Sequence, residues 1–225
     1  MLKTSLLAAS AFAAMALPVS AASAQEAGDI QVRAFVTGVL PDGEITDVNA
    51  DLFGLPADAQ TNVTDSVVPT IAAEYFIASN FSIETICCIT TTDVDGIGGL
   101  AGTNLINNAI VLPATLTGKF HLTNDSGFKP YIGGGVTHFF IFDEGVGPDA
   151  AALGIDDVNL SNEFGFVLQA GADIDLNDTG MVLGVDVKRY FVDTTANFNA
   201  GGVNIINTDH KLDPWVISAG LGFRF

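Results

Sequence analysis

The sequence predicts an all-β chain folded as an eight-stranded antiparallel transmembrane β-barrel. Three observations lead there. Apolar and polar residues alternate with period two in segments of roughly ten residues, the ~9–11 a membrane-crossing strand needs against ~5–6 for an ordinary globular strand. The connections between these segments alternate between short and long. The chain is 48% hydrophobic and only 15% charged, yet beyond its N-terminus it has no run of the ~20 apolar residues that a membrane helix requires.

The elements follow in order. Lys3 opens a positively charged stretch, residues 6–17 are apolar apart from Ser10, and Ala22-Ser23-Ala24 fits the small-residue rule for signal cleavage. Residues 1–24 are therefore expected to be a removed signal peptide and residues 25–225 the barrel domain, starting at Gln25. No cysteine follows the cleavage site, so no lipid anchor is expected there. The alternating segments are residues 29–39, 67–77, 80–92, 110–122, 130–142, 160–174, 181–193 and 213–225. The connections at 78–80, 123–129 and 175–180 are short and rich in Asn, Asp and Gly, as tight turns are. Those at 40–66, 93–109, 143–159 and 194–212 are long. Short turns at one end and long loops at the other is the organisation of an outer-membrane barrel, and an even strand number leaves both termini at the short-turn, periplasmic end.

The alternation also assigns faces. In the last segment Trp215, Ile217, Ala219, Leu221, Phe223 and Phe225 share one face, and Pro214, Val216, Ser218, Gly220, Gly222 and Arg224 the other. In the sixth, Phe164, Phe166 and Leu168 oppose Glu163, Gly165 and Gln169. A soluble barrel that binds a lipophile alternates too, with its apolar face inward. The charges decide between the two: Glu74, Glu84, Lys119, Glu163, Asp173, Asp186 and Lys188 all fall on the less apolar face. Eight apolar faces with few charges suit lipid outside and a polar lumen inside, and closure leaves no unpaired backbone edge in the bilayer.

Composition excludes several functions. Eight Lys and Arg against 26 Asp and Glu give a net charge of −18, which would repel a nucleic acid. Two cysteines make neither a disulfide framework nor a four-cysteine zinc site. Cys87 and Cys88 are adjacent in a strand, so one faces lipid and the other the lumen, and no disulfide joins them. His121, His138 and His210 are scattered, and no nucleophile and base cluster. The chain reads as no enzyme, with no cofactor and no metal site. Gly133-Gly134-Gly135 precedes no helix and is no phosphate loop; it lets the wall curve and thins the lumen.

Strand direction places Arg33, Glu74, Glu84, Lys119 and Arg224 in the half of the lumen near the short turns. A lumen of eight strands is only wide enough for side chains to fill it, and buried charges must pair. An ion-pair plug is expected there, so that an apolar solute would leave sideways through the wall. The first long loop carries Asp42, Glu44, Asp47, Asp51, Asp58 and Asp65; carboxylates there could hold divalent cations that bridge lipopolysaccharide, without a defined site. Arg189, high on the outward face, is placed to meet a lipid phosphate.

Leu112-Pro113-Ala114-Thr115-Leu116, the stretch from Phe128-Lys129-Pro130-Tyr131 to Phe142-Asp143-Glu144, Asp193-Thr194-Thr195-Ala196-Asn197, and Asp213-Pro214-Trp215-Val216 running to Gly222-Phe223-Arg224-Phe225 resemble, in order, motifs of the OmpW family of bacterial outer-membrane proteins. Ala114 stands where the family has a proline. The resemblance implies a narrow eight-stranded channel for small, mainly hydrophobic solutes in the outer membrane of a Gram-negative bacterium. The alternative is a sealed structural or adhesive barrel acting through its acidic external loops. The implied partners are outer-membrane lipid and lipopolysaccharide, the solutes themselves, and the barrel-assembly machinery, which would read Phe223 and Phe225 at the C-terminus. The family's hydrophobic gate implies Ile86 as one channel-lining residue. Its aromatic counterpart aligns with Lys188, so an ammonium replaces a ring; Lys188 should then pair with Asp186 or Glu163, giving a more polar channel that passes small anions better.

Overall fold

The structure is a computed structural model that describes residues 25–122, 127–176 and 180–225. The expected signal peptide, residues 1–24, lies outside the described residues, as do parts of two short connections. The chain forms β1 (Ile30–Leu40), β2 (Glu44–Asp51), β3 (Ala59–Val63), β4 (Ser66–Ala78), β5 (Phe81–Cys87), β6 (Thr90–Gly98), β7 (Asn104–His121), β8 (Phe128–Phe142), β9 (Gly145–Val146), the short helix α1 (Pro148–Ala152), β10 (Asp157–Leu160), β11 (Glu163–Asp175), β12 (Met181–Phe191), β13 (Asp193–Ala200), β14 (Val203–Lys211) and β15 (Trp215–Arg224).

Eight of these strands close a ring of antiparallel pairs in the order β1, β4, β5, β7, β8, β11, β12, β15 and back to β1. The last residue completes it: Phe225 N–H donates to Ile30 O at 3.0 Å and Ile30 N–H to Phe225 O at 2.8 Å. Burial alternates along the wall. On β1 Gln31, Arg33, Phe35 and Thr37 are buried while Ile30, Val32 and Val36 are exposed. The exposed positions of β11 are Phe164, Phe166 and Leu168. An outer surface of this kind is stable against hydrocarbon rather than water. Close strand approach at β7 and β8 depends on Gly135, where a Cβ would lie 1.9 Å from Leu116 O and 2.7 Å from Thr117 Cα.

The long connections are not loops. They continue as a second tier of strands on the long-loop end. β10, β13, β14 and β2 make a four-stranded sheet, and β3, β6 and β9 extend the main sheet through β7. The reason is visible in residues 194–212, where Thr, Asn, Phe and Ile alternate about the hairpin turn Gly201-Gly202, both at positive φ (58° and 78°), as a tight strand reversal requires. Polar outward faces disguise these strands as loop. Two expected wall segments also break: residues 80–92 at Cys88-Ile89, and residues 160–174 at Ser161-Asn162. The first break interrupts the wall. The β4–β5 ladder ends at the pair Ile71 and Cys87, residues 66–70 have a ladder partner only in β1, and across the break the Ser66 hydroxyl donates to Thr91 O at 3.3 Å and Thr64 N–H to Asp93 O at 3.0 Å.

The interior has two unlike parts. Near the short turns it is charged. Above, a core of Phe139, Ile141, Val167, Tyr190, Val192 and Val216 leads into an outer-tier cluster around Val63, Val94, Ile106, Phe198 and Ile206.

Candidate channel: an apolar cavity on a charged floor

The floor begins with a conflict. Glu74 on β4 and Glu84 on β5 sit directly opposite each other in the register, a like-charge pair that destabilises a sheet unless cations intervene. Arg33 and Lys119 do so. The Arg33 guanidinium bonds both Glu74 and Glu84 and reaches Asp173 at 3.0 Å; Lys119 Nζ lies 2.8 Å from Glu74 and 3.1 Å from Glu84. Lys119 also sits over the Tyr131 ring, 3.8 Å from its centroid. His121 Nε2 lies 2.9 Å from both Glu74 Oε1 and Ser82 Oγ. These side chains are essentially inaccessible to water.

The second layer is continuous with the first. Lys188 Nζ contacts Asp186 at 2.6 Å and Glu84 at 3.2 Å. Gln169 donates to Glu84 at 2.9 Å and Asp186 at 2.6 Å, and the Tyr131 hydroxyl donates to Asp186 at 2.8 Å. Glu84 is thus shared by Arg33, Lys119, Lys188 and Gln169. The network joins side chains from seven of the eight wall strands, and its charged members are buried.

The structure brings together most of the residues the sequence singled out, with three differences. Arg224 does not join Arg33: it bonds Asp175 at 3.0 Å beside the Lys129–Asp175 pair at 2.8 Å, because it registers with Gln31, one layer nearer the short turns. Glu163 does not meet Lys188. The register sets Lys188 opposite Gln169 and Glu163 opposite Phe139, some six residues or ~20 Å farther along β11. Arg189 does not project into lipid. It stacks over Trp215, 5.2 Å from the ring centroid, donates to the Asp213 carbonyl, and pairs with Asp42 at 3.2 Å.

Above the floor lies an apolar cavity of about 250 Å³. Ile86, packed with Phe35 and Ala72, and Tyr190, whose hydroxyl is 3.3 Å from Thr115 Oγ1, line its base; Phe139, Val216, Ile106 and Phe198 line its walls. Lys188 is below this lining. The aromatic residue on β12 that meets the cavity is Tyr190, one inward position beyond Lys188, and its inward parity in residues 181–193 was the available signal. Cys88 lines the cavity and Cys87 is exposed on the outside, both as free thiols. His210, expected in a loop, is buried on β14 at the cavity edge: its Nε2 is 2.7 Å from Thr208 Oγ1 and its Nδ1 3.1 Å from Thr61 Oγ1. Burial holds its imidazole below the usual range, opposed weakly by the Gly43 carbonyl and Asp209. At the mouth, the Asp51 carboxyl is held below its ordinary range by the backbone N–H groups of Leu55, Gly54 and Phe53. Among the described residues no cluster of three or more His, Cys, Asp and Glu could hold a metal ion.

The sequence matches the profile of the OmpW family over residues 26–225. It is 28% identical over 220 residues to Outer membrane protein W of Escherichia coli (strain K12), covering 97% of this chain and 99% of that protein. It is also 28% identical over 183 residues to an uncharacterized outer-membrane protein, y4mB, of Sinorhizobium fredii, covering 81% of this chain and 76% of that one. Among solved structures, the crystal structure of OprG from Pseudomonas aeruginosa superposes with a TM-score of 0.80 at 28% identity, over 89% of this chain and 97% of OprG. The outer membrane protein AlkL in lipid bilayers shares the fold, with a TM-score of 0.70 at 21% identity over 93% of this chain and 95% of AlkL.

Proposed function

The chain belongs to the OmpW family and is an outer-membrane β-barrel of a Gram-negative bacterium, and on that premise we propose that it passes small, mainly hydrophobic solutes into the membrane without opening a pore across it. The observation that carries this reading is the apolar cavity seated directly on a buried ion network. A solute desolvated in the cavity gains the favourable transfer of its apolar surface. Driving it down through the floor would break paired buried charges, which is far more costly. The interruption of the wall between residues 66–70 and the β5–β6 break offers a sideways path at the level of the cavity base. Lys188 is neutralised by Asp186 and Glu84, so it presents little charge to a solute, and the anion preference expected from sequence loses its basis.

Cys88 reports on the cavity directly. In a Cys87→Ser chain in lipid vesicles, N-ethylmaleimide should alkylate Cys88, and saturating n-hexanol should slow that reaction while an equal concentration of glycerol does not. Equal rates with and without hexanol would mean that the cavity takes up no apolar solute.

A further inference from the structure

Each outer strand continues a wall strand, so the second tier should close as the wall does. It stays open at two seams, between β9 and β10 and between β2 and β3. β2 pairs with β14 and β3 with β6, and no ladder joins the two. Their base is tight: a Cβ on Gly43 would lie 2.6 Å from Val63 Cγ2 and 2.8 Å from Val63 N, and the Thr61 hydroxyl donates to Gly43 O at 2.6 Å. One level farther out, the bridge is a side chain. Gln60 Nε2 donates to Ile45 O at 3.0 Å and Gln60 Oε1 accepts from Ile45 N–H at 2.8 Å. The side-chain amide stands in for the missing strand partner.

Beyond that bridge the two strands splay around a recess. Its boundary includes Thr46, Asp47 and Val48 on one side and Ala57 and Ala59 on the other. Ile45, Leu55 and Pro56 border both this recess and the apolar cavity, so a thin wall separates them. The roof is fixed by Asp51, which accepts from the N–H groups of Phe53 at 3.0 Å, Gly54 at 2.7 Å and Leu55 at 2.7 Å.

We propose that the splay between β2 and β3 is a side entrance into the apolar cavity, that the Gln60 side chain is its latch, and that it favours neutral apolar solutes over anions. It rests on the reading of the cavity as a solute site. Opening along β3–β6 or β14–β2 would break a run of ladder bonds. Here it releases two neutral hydrogen bonds at a half-exposed site, and water replaces both. The bridge therefore holds the entrance shut without sealing it. Asp47 and Asp51 flank the recess, and their carboxylates oppose the approach of an anion.

The rate of Cys88 alkylation in the Cys87→Ser chain tests this, because the thiol lies inside the cavity. Gln60→Ala removes the latch, and the loss of two neutral hydrogen bonds should speed alkylation by N-ethylmaleimide about tenfold. Ala57→Trp places a bulky ring at the exposed side of the recess and should slow it several-fold. Replacing N-ethylmaleimide with a carboxylate-bearing maleimide should give slower labelling, restored in part by Asp47→Asn. Unchanged heat-dependent gel migration and circular dichroism establish that each variant is folded. If folded Gln60→Ala and Ala57→Trp chains label at the parent rate, or if Gln60→Ala does not label, there is no entrance between β2 and β3. Protection of Cys88 by hexanol in the parent is a separate result. If protection holds while the variants show no effect, the cavity reading survives and the side entrance fails; if protection is lost, the cavity reading itself fails.

Discussion

Glu84 shows how a single residue can organise the lumen. It faces Glu74 across the β4–β5 register and is surrounded by Arg33, Lys119, Lys188 and Gln169. Removing one partner from such a buried set leaves an uncompensated charge and typically costs about 3–5 kcal/mol. Lys119→Ala should therefore destabilise the folded barrel by that order in a denaturant titration, and adding Glu84→Ala should recover part of the loss. Strictly additive effects in that double-mutant cycle would show that the two are not coupled. Lys188→Trp should be destabilising for the same reason, since it strips a cation from both Glu84 and Asp186. Alternation by itself puts Arg33, Glu74, Glu84, Lys119, Asp186 and Lys188 on the inner face. What it lacks is register: period two says which face a residue takes, and only strand pairing says which residues share a level. That is why the sequence alone matches Glu163 to Lys188 and groups Arg224 with Arg33, and why it does not assemble Gln31, Gln169, Tyr131 and Asp173 with the rest.

At the scale of elements, the wall strands were legible because lipid imposes a strict apolar face over their length. The second tier was not, because its outward face meets water and carries Asp, Asn and Thr, so the contrast with turn composition disappears. Its register is also irregular, with shifts in the β13–β14 and β14–β2 pairs. Gly135→Val should block β7–β8 pairing, since even a Cβ would collide with the Leu116 carbonyl; the variant should be exported but fail to acquire heat-resistant gel migration. His210 makes the second tier pH-sensitive. Its buried, neutral ring faces Thr61, Thr208 and the Gly43 carbonyl, and its folded-state value is lowered by desolvation. A lowered imidazole value means that the opened strand binds the proton first. The contribution is complete above about 6.5, the ordinary imidazole value, and falls as pH drops through it toward the lower folded value. Amide exchange along β14, corrected for intrinsic rates, should quicken below that pH in the parent and not in His210→Asn. Identical pH profiles in the two would remove His210 from the account.

At the scale of the whole molecule, the seam that closes the barrel runs through Phe225. Phe225 completes the β1–β15 seam through two backbone bonds to Ile30, and its ring lies 6.3 Å from that of Phe223 on the outer wall. Deleting Phe225 should reduce membrane-inserted protein several-fold while leaving export intact, as measured by fractionation. Unchanged insertion would show that the terminal aromatic is no assembly signal.

Acceptance of apolar solutes without an aqueous path across the membrane is what the proposed function requires. It is tested most directly by solute uptake into vesicles with a lipopolysaccharide outer leaflet, with and without the protein, using a neutral apolar solute and a polar solute of the same size. The protein should raise the apolar rate and leave the polar rate at the protein-free level. Equal increases for both solutes would mean that the charged floor is not a barrier, and no increase for either would mean that the cavity is not part of a transport path.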